Sequence, residues 1–226
     1  MDVKTTMPAS ETTASARPHF HQQSVIDVIQ PRTSKRIMDI CVATLLLVLL
    51  SPLLITVALL IKIASPKGSI FFVQERVGWR GETFSIFKFR TMRQNVDTEQ
   101  HRRYVSELAK AGSSLEKPEM TSRLIWLGGF YRSTAIDELP QLLNILRGEM
   151  SLVGPRPDVL ALDDYEPWQR NRFAVLPGLT GLWQVSGKNR LTFDQMIELD
   201  LDYVKRQSLL LDVNVLLRTP IALVTM

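Results

Sequence analysis

The stretch "ICVATLLLVLLSPLLITVALLI", Ile40–Ile61, decides the fold, because it runs for 22 residues without a charge. As one straight helix it would be about 33 Å long, close to the hydrocarbon thickness of a bilayer. The 39 residues that precede it argue against a cleaved signal peptide. A buried core helix of such uniform composition is uncommon, so the stretch predicts a membrane segment.

Ser51 and Pro52 lie at the midpoint of this segment. Proline removes an intrahelical hydrogen bond and clashes with the preceding turn, so a break is expected here, and the Ser51 hydroxyl is a candidate partner for the freed carbonyl. Both flanks are basic: Arg32, Lys35 and Arg36 precede the segment, and Lys62, Lys67, Arg76 and Arg80 follow it. The positive-inside tendency places both ends on the cytoplasmic side. A helix–break–helix that enters and leaves by one face satisfies this pattern, while flanks and proline alone leave a kinked single span open.

Composition excludes several kinds of site. The 226 residues are 45% hydrophobic and 22% charged, with a net charge of +4, which suits phosphates, anionic lipid or nucleic acid. The single cysteine, Cys41, excludes an internal disulfide and a cysteine cluster for zinc. The histidines, His19, His21 and His101, lie far from any dense motif, so the sequence gives little support for a Ser-His-Asp triad or a histidine-bound metal.

The pattern predicts three regions: a polar arm (residues 1–33), the membrane segment (34–64) and a catalytic region (65–226). Within 69–92, two β-rich runs flank Gly78-Trp79-Arg80-Gly81 and predict a hairpin. Lys88 and Arg90 are two residues apart and share one strand face, which is either a basic site or a solvated surface.

Further helices are predicted after the hairpin. Residues 93–120 predict a helix and a loop, and Leu139–Arg147 predicts a helix with Pro140 in its first turn and Gly148 as its stop. Amphipathic helices are predicted for Phe193–Arg206 and Ser208–Met226, the second with a leucine-rich stripe suited to a core or a membrane surface.

Asp137 and Glu138 fall at the N-terminus of the predicted 139–147 helix, where acids also serve simply as favourable first-turn residues. Their company favours a site: Arg132 lies nearby, and Arg156 is framed by two prolines. Carboxylates and cations around one helix end describe a site for a magnesium-bound diphosphate, and an aspartate can act as the nucleophile of phosphoryl transfer.

Competing motifs are weak. The sequence contains neither a Walker loop nor a G-x-G-x-x-G motif, and it lacks a recognisable nucleic-acid-binding module. Asp200-Leu201-Asp202 has the D-x-D form that many glycosyltransferases use for a metal, but alternate acids are also common on an exposed helix face.

Five blocks occur in order: "KRIMD" (35–39), Ser51-Pro52, "FKFRTM" (87–92), "RSTAIDELPQLLNILRGEMSLVGPRP" (132–157) and "PGLTGLWQVSGKNR" (177–190). Over about residues 33–226 the chain resembles the bacterial sugar transferase family of small monotopic phosphoglycosyl transferases. It is similar to enzymes that begin exopolysaccharide assembly with galactose or glucose. The acid-pair block in register with the Pro-Arg-Pro block is the most specific part of this resemblance.

The resemblance implies an activity. The enzyme would move a sugar 1-phosphate from a UDP-sugar to polyprenol (undecaprenyl) phosphate and release UMP, with Asp137 as the nucleophile and Glu138 as the Mg²⁺ ligand. Phosphate-binding or structural roles fall to six basic residues: Lys88, Arg90, Arg132, Arg156, Lys188 and Arg190.

The resemblance also implies a location. It places a re-entrant helix broken at Ser51-Pro52 at the cytoplasmic face of the bacterial inner membrane, in contact with lipid and without nucleic acid. The expected fold is α+β and mainly helical, with a small β-hairpin and amphipathic interfacial helices. The choice of sugar and a homo-oligomeric state are left open.

Two other functions stay open at this point. One is a membrane-anchored scaffold or regulator of polysaccharide assembly, against which the intact Asp137-Glu138 pair and Arg156 argue. The other is a D-x-D glycosyltransferase, which would release UDP and depend on Asp200 and Asp202.

Overall fold

The computed structural model describes residues 26–93, 103, 105–107, 123–187 and 190–225. Most of the predicted arm, and most of the helix and loop predicted for 93–120, lie outside these residues. The described part is α+β and mainly helical. Its α-helices are α1 (Thr33–Leu49), α2 (Ser51–Ala64), α3 (Gly128–Ser133), α4 (Leu142–Arg147), α5 (Leu182–Ser186), α6 (Phe193–Arg206) and α7 (Leu209–Thr225). Its strands are β1 (Phe71–Val77), β2 (Thr83–Phe89), β3 (Ser151–Val153) and β4 (Gly178–Thr180).

The predicted break in the apolar segment is confirmed. Helices α1 and α2 meet at Leu50 with a bend of 62°. Pro52 has no N–H to donate to the carbonyl of Val48, four residues earlier, and the Ser51 hydroxyl donates to that carbonyl instead, at 2.8 Å. The serine therefore supplies the hydrogen bond that the proline removes.

Across the described ranges, no single helix has both the length and the apolar composition to cross a bilayer, whereas α1 and α2 together do. Large apolar side chains along both helices are exposed: Leu45, Val48, Leu49, Ile55, Leu59 and Ile63.

Both ends of the helix pair are attached to the rest of the molecule. At the start of α1, the Lys35 ammonium donates to the Asp212 carboxylate at 2.7 Å and to the Val153 carbonyl at 3.1 Å. Arg36 donates to the carbonyls of Ile145 and Leu146 and so caps the C-terminal end of α4.

The second half of α2 packs on a different part of the same molecule. Val57 and Ile61 are buried against Phe89, Ile125 and Tyr131. The Lys62 ammonium donates to the Gly68 carbonyl in the turn that leads to β1. The two ends of the bent pair therefore return to one body.

The predicted hairpin is confirmed: β1 and β2 pair antiparallel, with Phe71 opposite Phe89 and Val77 opposite Thr83. The turn between them contains a short 3-10 segment, and Arg80 there adopts a left-handed conformation with φ 63°.

The helix after the acid pair differs from the prediction. A 3-10 helix, Ile136–Gln141, precedes α4, so the α-helix begins at Leu142 rather than at Leu139, and Pro140 lies inside the 3-10 segment. Because the 3-10 segment starts at Ile136, both acids lie in its first turn. The predicted stop is correct, since Gly148 has φ 85° and caps α4.

Strands β3 and β4 form a short parallel pair, with Ser151 opposite Gly178 and Val153 opposite Thr180. A Cβ at Gly154 would overlap the carbonyl of Leu176, so glycine permits the close approach of the two segments. The main core joins α1, β2, α4, β3, α5, α6 and α7 around Leu142, Ile145 and Leu152.

The two predicted C-terminal helices are confirmed, and they differ in the polarity of their outward faces. Helix α6 buries Phe193, Ile197 and Tyr203 and turns its polar face outward. Helix α7 buries Val215 and Ala222, and its outward face is apolar, with exposed Leu210, Val213, Leu217, Ile221 and Val224.

Candidate active site

Asp137 lies in the first turn of the 3-10 helix and is 9% exposed. Burial raises its pKa from 3.8 to about 6, the negative charge of Glu138 acts in the same direction, and Lys88, Arg132 and Arg156 oppose both. Ala135, which precedes this helix, has φ 55°, a conformation that L-residues adopt at a cost. The chain therefore holds a carboxylate of raised basicity next to a permanent negative charge.

Glu138 has cationic partners on two sides. It accepts a hydrogen bond from the Lys88 ammonium at 2.8 Å, one from Arg156 Nη1 at 3.0 Å, and a second, shorter one from Arg156 Nη2. Burial alone would raise the pKa of Glu138, but the charges of Arg156 and Lys88 hold it well below its ordinary value of 4.5. Glu138 is thus ionised at every physiological pH.

The hairpin positions Lys88, and Asn144 of α4 fixes the hairpin. Asn144 Nδ2 donates to the Ser85 carbonyl at 2.7 Å, and its Oδ1 accepts from the Phe87 N–H at 3.1 Å. Because Asn144 is fully buried, these bonds tie β2 firmly to the helix that follows the acid pair.

The loop after β3 positions Arg156. The Gly178 N–H donates to the Pro155 carbonyl at 2.8 Å, and Arg172 Nη2 donates to the Arg156 carbonyl at 2.8 Å. A second buried arginine, Arg76 of β1, lies within 3.5 Å of the Pro157 carbonyl.

The predicted site residues separate into two groups. Asp137, Glu138, Lys88 and Arg156 come together, and Arg132 acts electrostatically on Asp137. Two predicted residues that the structure describes, Arg90 and Arg190, are not part of this group.

Arg90 is buried, and its guanidinium lies against Gly68 rather than beside Glu138. Within the described ranges no hydrogen-bond partner reaches its side-chain nitrogens. Arg190 is exposed, and Lys188 lies outside the described residues.

The two acids of the D-x-D motif do not form a shared site. Asp200 is fully buried and pairs with Arg172 at 2.6 Å, whereas Asp202 is half-buried and pairs with Arg206 at 2.8 Å. The geometry therefore gives the metal interpretation of this motif no support.

The acid pair fits a magnesium ion only together with a phosphate ligand. Among the described residues there is no group of three or more His, Cys, Asp or Glu side chains that could hold a metal. Mg²⁺ in proteins is commonly bound by one or two carboxylates and completed by substrate phosphates and water. Glu138, next to Asp137, supplies such a carboxylate.

Sequence comparisons place the chain in a family. Residues 30–226 match the family described as "Bacterial sugar transferase". The chain belongs to the bacterial sugar transferase family.

Individual proteins similar to this chain have more specific names. The "Exopolysaccharide production protein ExoY" of Sinorhizobium fredii is 42% identical over 198 residues, 82% of this chain and 83% of that protein. The "UDP-glucose:undecaprenyl-phosphate glucose-1-phosphate transferase" of Caulobacter vibrioides is 41% identical over 84% of this chain and 70% of that protein. The "Undecaprenyl-phosphate galactose phosphotransferase" of Salmonella typhimurium is 38% identical over 83% of this chain but only 40% of its own length. The chain thus spans most of some relatives and less than half of others.

Three residues that position the site in this family member were missed by sequence reasoning: Arg76, Asn144 and Arg172. Asn144 gave a readable signal, because a lone amide within the apolar run "LLNIL" requires buried partners. The sequence presents Arg76 only as a flanking charge, and Arg172 belongs to no short motif, since its partners Arg156 and Asp200 lie 16 and 28 residues away.

Proposed function

We propose that this protein is a phosphoglycosyl transferase that moves a sugar 1-phosphate from a UDP-sugar to polyprenol phosphate and releases UMP. The observation that carries the proposal is the buried Asp137 beside Glu138, with Glu138 paired to Lys88 and Arg156. The names of the relatives support undecaprenyl phosphate as the acceptor and glucose or galactose as the sugar. Exopolysaccharide synthesis is the corresponding process.

The proposed reaction has two displacements at one phosphorus. A carboxylate oxygen of Asp137 attacks the sugar-bearing phosphorus, the bridging P–O bond breaks, and UMP leaves with its electrons. A phosphate oxygen of the polyprenol phosphate then attacks the same phosphorus and displaces Asp137. The products are a polyprenyl diphosphosugar and the regenerated carboxylate, and the covalent stage lets UMP depart before the lipid arrives.

The surrounding residues have separate tasks in this scheme. Lys88 and Arg156 supply cationic donors beside the acid pair, and Arg132 favours the ionised form of Asp137. Glu138 would hold Mg²⁺ together with the diphosphate, and the ion would neutralise charge that develops on the phosphate oxygens.

We further propose that α1 and α2 form a re-entrant segment at the cytoplasmic face of the bacterial inner membrane. Three features support this placement: both ends of the pair attach to one body, the side chains around the break are apolar and exposed, and α7 presents a second apolar face. A polyprenol phosphate in that bilayer carries its reacting group at the interface, where a monotopic enzyme meets it.

A mass measurement tests the proposed function. The purified protein is incubated with Mg²⁺ and UDP-galactose or UDP-glucose, without lipid acceptor, and digested. We expect one hexose-phosphate mass on the peptide containing Asp137, none in Asp137→Asn, and UMP rather than UDP in solution. Release of UDP, or substantial turnover by Asp137→Asn, would refute the assignment.

A further inference from the structure

The loop that carries Arg156 is anchored through main-chain carbonyls. Pro155 and Pro157 have no N–H, so of these three residues only Arg156 can donate from the main chain, while all three carbonyls can accept. Gly178 holds the first of these carbonyls and Arg172 holds that of Arg156, each at 2.8 Å. The direction in which the Arg156 guanidinium leaves the main chain is therefore set partly by Arg172.

Arg172 is itself fixed by several contacts. It is 3% exposed, donates to the Asp200 carboxylate at 2.6 Å and donates to the Tyr165 hydroxyl at 3.0 Å. Burial alone would lower the pKa of Arg172, but the charge of Asp200 raises it, so the guanidinium keeps its proton. With three acceptors around one planar group, Arg172 has a single orientation.

We propose that Arg172, held by Asp200, is a positioning residue that orients Arg156 toward Glu138. The bonds form one chain from α6 to the acid pair: Asp200 to Arg172, Arg172 to the Arg156 carbonyl, and the Arg156 guanidinium to Glu138. The proposal deepens the proposed function, because its kinetic readout rests on Arg156 acting in that site.

This chain of bonds also assigns the D-x-D motif. Asp200 acts through Arg172 at a distance from the reacting atoms, and Asp202 on the outer face of α6 takes no part. The two acids therefore differ in effect, whereas in a metal-binding D-x-D motif both acids are needed.

A double-mutant cycle separates positioning from simple stabilisation of the core. The four proteins are the parent, Arg172→Lys, Arg156→Lys and the double variant. Lysine at position 172 keeps the charge opposite Asp200 but lacks the planar group that reaches the carbonyl. We expect Arg172→Lys to lower kcat/KM for the UDP-sugar about 10- to 100-fold in the parent background. In the Arg156→Lys background the further loss should be below about threefold, because the residue being positioned is already gone.

Two controls keep the test specific. Asp202→Asn should leave kcat/KM unchanged. Asp200→Asn should lower kcat/KM in the parent but not in the Arg156→Lys background, as Arg172→Lys does. It takes the place of Arg172→Lys in the cycle if the Arg172→Lys protein does not fold. Ile197→Val, in the core of α6, should lower the melting temperature with equal relative effects on activity in both backgrounds.

Binding of UDP, measured by calorimetry in the same four proteins, gives the coupling without turnover. Equal fold losses from Arg172→Lys in both backgrounds would overturn the positioning proposal. A parent protein that releases no UMP would count against the proposed function instead, and the coupling in UDP affinity would still decide whether Arg172 acts through Arg156.

Discussion

At the residue scale, Asp137 and Glu138 are neighbours in the chain that differ in electrostatic environment. Glu138 accepts hydrogen bonds from Lys88 and Arg156, while Asp137 is affected mainly by burial and by the charge of Glu138. The pKa of Asp137 is therefore raised, and that of Glu138 is lowered. The proposed nucleophile, Asp137, is therefore more basic than an ordinary aspartate and lies beside Glu138, which stays ionised. Removing the charge of Asp137 should raise the free energy of unfolding, and removing that of Glu138 should lower it.

Asp137→Asn should stabilise the protein at pH 7.5 in the absence of nucleotide and Mg²⁺. The pKa of Asp137 in the folded state, about 6, exceeds its ordinary value of 3.8. Between pH 3.8 and 6 the folded protein therefore binds more protons than the unfolded chain, and the contribution of Asp137 to stability falls as pH rises through that window. A difference of about two pKa units sets an upper bound of about 3 kcal/mol, and we expect a gain of about 1–2 kcal/mol. Urea unfolding in EDTA measures it; a loss of stability would contradict the raised pKa.

Glu138→Gln should have the opposite effect on stability under the same conditions. Its depressed pKa means that its contribution is fully present above the ordinary value of 4.5 and is lost as pH falls toward the folded-state pKa. At pH 7.5 the amide leaves Lys88 and Arg156 without their counter-charge, so we expect a loss of about 1–3 kcal/mol. UMP release should fall at least about 100-fold. Near-parental activity with unchanged Mg²⁺ dependence would mean that Glu138 serves only as a first-turn acid.

At the element scale, the site depends on how the hairpin, the 3-10 helix and the loop after β3 are joined. Each element supplies one part: β2 carries Lys88, the 3-10 helix carries both acids, and the loop carries Arg156. Buried polar contacts join these elements, and removing one partner of such a contact lowers the free energy of unfolding.

Asn144→Ala tests one of these joints. The change removes the bonds to the Ser85 carbonyl and the Phe87 N–H and leaves buried backbone groups without these partners. We expect a loss of about 2–4 kcal/mol in the free energy of unfolding, by urea titration. At a temperature where the variant is fully folded, UMP release should also fall, because the strand that carries Lys88 is no longer fixed to α4. A folded variant with parental activity would show that the two hydrogen bonds of Asn144 are not needed to position Lys88.

The elements differ in how far the sequence predicts them. The hairpin, the break at Pro52 and helices α6 and α7 follow from local signals such as glycine, proline and apolar periodicity. The start of α4 does not, because propensity does not distinguish a 3-10 turn from an α-turn around Pro140. The sequence predicts that the acids and the cations share a site, but not the specific pairs of Lys88 and Arg156 with Glu138, because their partners come from distant segments. Arg172 with Asp200 was not expected at all, since nothing local connects them.

At the scale of the whole molecule, the attachment of both ends of the helix pair is the main architectural feature. Lys35 at the start of α1 is paired to Asp212 of α7, and Ile61 near the end of α2 packs on Phe89 of the hairpin. A straight crossing would carry one end across the bilayer and break one of these contacts. If the start of α1 is the end that crosses, the broken contact is the Lys35–Asp212 ion pair, and the buried Asp212 is left without its counter-charge, which is costly.

This geometry predicts that residues 1–35 and the catalytic region share one compartment. In a Cys41→Ala background, Ser15→Cys and Ser114→Cys should both resist a membrane-impermeant thiol reagent in intact cells and react after lysis. Labelling of Ser15→Cys in intact cells would establish a true span and refute the re-entrant arrangement. Replacing Ser51 and Pro52 by alanine and leucine restores the backbone N–H at the break and removes the reason for the bend, so it should favour a straight helix. The arm would then become reactive in intact cells, and transfer to the lipid acceptor should fall, because the acid pair is no longer held at the surface where the lipid phosphate lies.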